Sequence, residues 1–128
     1  MIDWEKIRNM SKEIKIVVDN TWLSPLLFNP FQQGASIVID SCTKYISGGK
    51  CIAGVATFNS ENENMFNFCV DLSIVMGLHV SPLHCNIIFK SLNNIEERIL
   101  IVDKRMNLAI KTLQQETSKK KNFIKKNF

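Results

Sequence analysis

Two short apolar runs, Ile14-Lys15-Ile16-Val17-Val18 and Ala35-Ser36-Ile37-Val38-Ile39-Asp40, constrain this chain more than any other feature. Both are rich in β-branched residues and too short for a buried helix, so both read as strands. Each stops on a polar cluster: Asp19-Asn20-Thr21 after the first, Ser41-Cys42-Thr43-Lys44-Tyr45 after the second. Near-continuous apolar strands are buried on both faces, as in an α/β sheet covered by helices. A third strand is expected over residues 52–58, after the loop that holds Gly48, Gly49 and Lys50.

The rest of the pattern is helical. Trp4, Ile7 and Met10 recur at helical spacing over residues 3–13, with Asp3 placed to cap the first turn. A brief helical turn is expected over residues 25–31, ended by Gly34. Longer helices are predicted over 61–76, closed by Gly77, from Ser81 or Pro82 to Leu92, and over 95–115, where Ile99, Val102, Met106, Ile110 and Leu113 share a side. The expected fold is therefore α/β, with three short strands and flanking helices. Strand polarity is not set by this pattern, and so thin a sheet leaves its edges unpaired.

The 128 residues allow one domain. No apolar run approaches the length needed to cross a bilayer, and residues 1–8 show no apolar signal core. The four cysteines (42, 51, 69, 85) are then expected as reduced thiols in a cytoplasmic protein. His79, His84 and Cys85 hint at a metal site, but zinc sites bring paired ligands at short, repeated spacing, so no metal is expected. The formal charge of +4 is unevenly placed: residues 117–128 hold five lysines and no acid, leaving residues 1–116 with 11 bases against 12 acids. Residues 117–128 read as a disordered basic tail, able to give only salt-sensitive, non-specific contacts with polyanions; neither a specific nucleic acid nor a membrane is an expected partner.

In an α/β sheet, ligands collect beyond the C-terminal ends of the strands, where both polar clusters fall. The Lys44 amine could attack a carbonyl to form a Schiff base, given partial desolvation. Ser41 and Thr43 could bind an anion such as phosphate, and Asp19 could pair with a protonated heterocyclic nitrogen. Together these meet the needs of pyridoxal 5′-phosphate. Asp-Asn-Thr is also ordinary turn chemistry, and a lysine after a strand is often a solvated loop residue. Spacing alone leaves both readings open.

The blocks Val18-Asp19-Asn20-Thr21-Trp22-Leu23-Ser24-Pro25 and Ser41-Cys42-Thr43-Lys44-Tyr45-Ile46-Ser47-Gly48, at this separation, resemble the cysteine/methionine-metabolism family of pyridoxal-phosphate enzymes. That family includes cystathionine β-lyase, γ-lyase and γ-synthase. The resemblance continues to Leu113, and Trp22 looks most like the β-lyase branch. It implies part of the large, transferase-like cofactor domain of fold type I, spanning residues 1–116. It also implies that Lys44 forms the internal aldimine and shuttles the substrate α-proton. Asp19 would keep the pyridine nitrogen protonated, while Ser41 and Thr43 would bind the phosphate. The implied reaction cleaves cystathionine, a sulfur-containing amino acid, to homocysteine, pyruvate and ammonia.

The sequence departs from the family at Gly49-Lys50-Cys51, where His-Ser-Asp is usual, and at Cys42, where a small residue such as alanine is usual. Family members are far longer and homo-oligomeric. Their phosphate loop, ring-stacking tyrosine and carboxylate-binding arginine lie outside the part this chain resembles. The expectation is a central fragment, inactive as a lyase on its own, a non-catalytic remnant of a split gene or one that pairs with complementary fragments. A γ-lyase or γ-synthase type of activity is the alternative to the β-lyase reading.

Overall fold

The computed structural model describes residues 2–10 and 14–127, with side chains given as far as Thr117. It divides into two compact units, residues 1–95 and 96–128.

The first unit opens with helix α1 (Trp4–Arg8), where the Asp3 carboxylate accepts a hydrogen bond from the Lys6 N–H at 3.0 Å. The helix ends earlier than its apolar spacing suggested, and residues 11–13 lie outside the described residues. Trp4 stacks obliquely on Phe28, with ring centroids 5.4 Å apart. Strand β1 (Val17–Asp19) follows. The connection to β2 (Ile37–Ser41) runs through the short helix α2 (Ser24–Leu27) and a 3-10 turn, Pro30–Gln33. Asn29 caps that turn through the Phe31 N–H, and Gly34 ends it at φ +92°, a conformation a side chain would strain.

The sheet has the order β1-β2-β3, where β3 is Gly54–Phe58. β1 and β2 are parallel, with Asp19 beside Ile39. β2 and β3 are antiparallel, from Ile37 beside Phe58 to Ser41 beside Gly54. Ala35, Ile37, Val38, Cys42 and Cys51 form the buried apolar core of this unit.

Burial on both faces, expected from the apolar runs, holds only in part. Val17 is 52% exposed, Ile39 42% and Val55 43%. β1 and β3 each pair with β2 alone, so both outer edges are open and β3 is exposed from Gly54 to Thr57; Ile39 lies on the central strand, where cover is incomplete.

Helix α3 (Glu63–Val75) leans on β3 through an edge-to-face contact between Phe58 and Phe66, centroids 5.7 Å apart. Gly77, at φ +68°, follows it. Helix α4 (Pro82–Leu92) is capped by Ser81, whose hydroxyl accepts the His84 N–H at 3.3 Å. Phe68, Val75, Leu83 and Phe89 remain exposed on these helices.

The second unit is the body of helix α5 (Ile95–Asn127). Glu96 and Glu97 in its first turn suit the positive end of the helix dipole. The backbone is helical through Asn127, past the Gln115 limit read from the apolar pattern. The side chains of the lysine-rich residues 118–128 lie outside the described residues. Among the described residues, no helix is long and apolar enough to cross a membrane.

Candidate active site

Because β1 and β2 are parallel, their C-terminal ends lie side by side. The last ladder bond there runs from the Asn20 N–H to the Ile39 carbonyl at 2.9 Å. Thr21 then takes over the pairing with its side chain: its hydroxyl oxygen accepts the Ser41 N–H at 2.9 Å. Its own N–H donates to Oδ1 of Asp19 at 3.0 Å, closing a tight turn on the aspartate. One residue therefore ties the two polar clusters together.

The Asp19 carboxyl is held below the usual carboxylate range, first by the Thr21 side chain and next by the Thr21 N–H. Both bonds favour the charged form. The side chain is otherwise open to solvent, so an ionised carboxylate stands at the strand end.

After Ser41 the chain enters a single π-type turn, Cys42–Ile46. It kinks at Lys44, whose φ −89° and ψ −113° are not helical. The turn is fastened on every side. The Cys42 N–H donates to the Ala53 carbonyl, the Ser47 N–H to the Cys42 carbonyl and the Gly48 N–H to the Lys44 carbonyl, each at 2.9 Å. Ser47 is fully buried, and its hydroxyl oxygen accepts the N–H groups of Lys50 and Cys51, both at 3.2 Å. The Cys51 thiol donates to the Cys42 carbonyl at 3.7 Å, and α4 packs against the turn.

Of the residues singled out from sequence, Asp19 and Ser41 are brought together through Thr21. Thr43 and Lys44 follow on the turn, Thr43 half-buried and Lys44 exposed. The described residues therefore do not supply the partial desolvation expected for the lysine. Thr21 stands in the first polar cluster, Ser47 in the second motif block and Asp40 at the end of the second apolar run, but the sequence assigns none of them a role. For Thr21 a signal existed, since a threonine two residues after an aspartate is the pattern of a side-chain turn. For Ser47, a lone serine before two glycines, no such signal exists.

Asp40 alternates with Ile39 and Ser41 along β2 and is 6% exposed. Burial first, and the Asp19 charge second, push its carboxyl above the usual range. The Cys42 thiol is likewise pushed up, by burial and then by Cys51 and Asp40. All four cysteines are free thiols; Cys42 and Cys51 are buried, Cys69 and Cys85 exposed.

A groove of about 420 Å³ between β3 and α3, lined by Phe58, Phe66 and Glu63 among others, shares no residue with this cluster. Among the described residues, no group of three or more His, Cys, Asp or Glu side chains is arranged to hold a metal ion.

Comparison with known proteins gives this geometry a context. A family profile described as Cys/Met metabolism PLP-dependent enzyme matches residues 1–118. The chain belongs to this family. Its members depend on pyridoxal phosphate and serve cystathionine and methionine metabolism. This family member is 31% identical over 120 residues to a cystathionine beta-lyase of Schizosaccharomyces pombe, covering 92% of the chain and 27% of that protein. It is 36% identical over 90 residues to a cystathionine gamma-lyase of Dictyostelium discoideum, covering 70% and 23%. It is 47% identical over 58 residues to a cystathionine gamma-synthase of Escherichia coli, covering 43% and 15%. The chain thus spans about a quarter of the length of the first curated relatives it matches. The family match takes in the whole Asp19–Lys44 cluster and stops before the first of the five clustered lysines, Lys119.

Proposed function

We propose that this chain carries the lysine-bearing part of a pyridoxal-phosphate-dependent carbon–sulfur lyase of the cystathionine β-lyase type, within a fold type I cofactor domain. The observation that carries the reading is the Thr21 link between Asp19 and Ser41 at the neighbouring ends of two parallel strands, with Lys44 three residues beyond.

The residues present fit the cofactor. An exposed carboxylate kept ionised by two hydrogen bonds suits a protonated ring nitrogen. Ser41 at the head of the turn and Thr43 within it both precede Lys44, so a phosphate bound by their hydroxyls would lie near the amine that attaches the cofactor aldehyde. When bound, the cofactor supplies an electron sink that stabilises negative charge at the substrate α-carbon. In this reading Asp19 holds the ring nitrogen charged, Ser41 and Thr43 orient the phosphate, and the Lys44 amine moves the α-proton.

The β-lyase assignment draws on Trp22 and on the beta-lyase relative whose match runs along most of the chain. The reaction would cleave the Cβ–S bond of cystathionine, releasing homocysteine and leaving a three-carbon unit that becomes pyruvate and ammonia. Cleavage at the γ-carbon would instead leave a four-carbon keto acid, so product chain length separates the two.

These 128 residues are expected to attach the cofactor weakly and to release no pyruvate from cystathionine above a cofactor-only control. An open site neither excludes water nor orients a substrate. Adding pyridoxal phosphate should give a protein-dependent absorbance band that Lys44→Ala removes. An equal band in the variant overturns the assignment of the lysine, and Lys44-dependent turnover overturns the expectation of inactivity.

A further inference from the structure

We infer that Thr21 is a positioning residue: its backbone N–H holds the Asp19 carboxylate and its hydroxyl oxygen takes the Ser41 N–H at the entry to the Lys44 turn, which fixes one relative to the other. Two neighbouring strands need a link where their ladder stops, and β1 is one residue too short to provide it. The Asn20 N–H makes the last bond to β2, at Ile39. Just past β2, the Cys42 N–H faces the other way, to Ala53. The Ser41 N–H therefore points at the β1 side with no strand to receive it, and the Thr21 hydroxyl oxygen takes that place at 2.9 Å.

A hydroxyl that receives an N–H on one lone pair has its own O–H left to donate. The Asp19 carboxylate takes the Thr21 N–H at 3.0 Å, and the Thr21 side chain is the first cause that holds this carboxyl below its usual range. The Ser41 N–H on the Thr21 hydroxyl and the Thr21 N–H on the Asp19 carboxylate thus join the two strand ends through one residue. Threonine suits this task because its branched Cβ restricts χ1. Sliding the Lys44 turn away from Asp19 breaks the Ser41 bond, so carboxylate and turn move together.

The functional meaning of this link rests on the cofactor reading above, but its test does not. The full chain, labelled with 13C at aspartate carboxyls and 15N at amides, is titrated without cofactor. Asp19 in the native sequence should titrate below the usual carboxylate range, and the Ser41 amide should exchange slowly with solvent. Thr21→Val keeps shape and backbone while removing the hydroxyl. It should return Asp19 toward the usual range and speed Ser41 exchange about tenfold, the loss of one hydrogen bond. Thr21→Ser should restore both.

Three results overturn the inference: an ordinary titration of Asp19 in the unaltered chain, an unchanged titration in Thr21→Val, or failure of Thr21→Ser to rescue. The first needs no variant, so it stands even where Thr21→Val does not fold. A chain that passes these tests yet attaches no cofactor at Lys44 would sink the proposed function and leave the link intact.

Discussion

The buried side chain of Asn20 donates to the Phe28 carbonyl at 3.0 Å, spanning the loop that leaves β1. The same residue offers its carbonyl to the Ser24 N–H at 2.8 Å and its own N–H to Ile39 at 2.9 Å. Ser24 takes a positive φ of 58°, rare for a residue with a side chain, and turns the strand into α2. Asn20 thus holds both the end of the sheet and the turn beside Asp19. Asn20→Ala would leave the Phe28 carbonyl without its donor at a cost of about 1–3 kcal/mol. Urea unfolding should show a lower midpoint with an unchanged slope; an unchanged midpoint would mean the loop does not depend on this amide.

Thiol reactivity should divide the four cysteines cleanly. The Cys42 thiol is raised by burial, Cys51 and Asp40, so it stays protonated at neutral pH, and the thiolate is the reactive form. Iodoacetamide on the native chain should label Cys69 and Cys85 and spare Cys42 and Cys51 until denaturant is added. Peptide mapping that finds Cys42 modified as fast as Cys69 would contradict the buried core around the Lys44 turn.

Asp40 makes stability fall as pH rises. Its carboxyl binds a proton more tightly in the folded chain than at its ordinary value of 3.8, so the folded state carries more protons just above that pH. Stability is then fully present below 3.8 and declines as pH climbs through the raised value. Asp40→Asn should match the original chain in acid and exceed it at neutral pH, as read by Tm across a pH series. Asp19 acts in the opposite sense, its contribution being lost as pH falls through its lowered value. A Tm difference independent of pH would reject the Asp40 assignment.

Much of this arrangement is legible in the residues themselves. The β-branched runs mark β1 and β2, Gly34 and Gly77 mark turns at positive φ, and Ser81 marks the start of α4. The motif blocks, and the family resemblance they carry, point to Asp19, Ser41, Thr43 and Lys44. What the sequence hides is pairing across distance. The parallel register that sets Asp19 beside Ile39 depends on tertiary contacts, and only that register makes Thr21 a link to Ser41. Burial is narrower than the pattern implies for a physical reason: apolar strands such as Val17–Asp19 carry the pattern of a wider sheet, while three strands cover only part of them. The clamp around Lys44 is equally hidden, because the Ser47 hydroxyl and the Cys51 thiol bond to backbone groups whose positions leave no compositional trace.

The lysine carries the central claim, and trapping tests it most directly. The chain is incubated with pyridoxal phosphate, reduced with borohydride, digested and mapped by mass spectrometry. The account predicts one dominant phosphopyridoxyl label, on Lys44, absent from Lys44→Ala and weakened in Asp19→Asn. A label spread evenly over Lys50, Lys90 and the other exposed lysines, unchanged by Lys44→Ala, would contradict it.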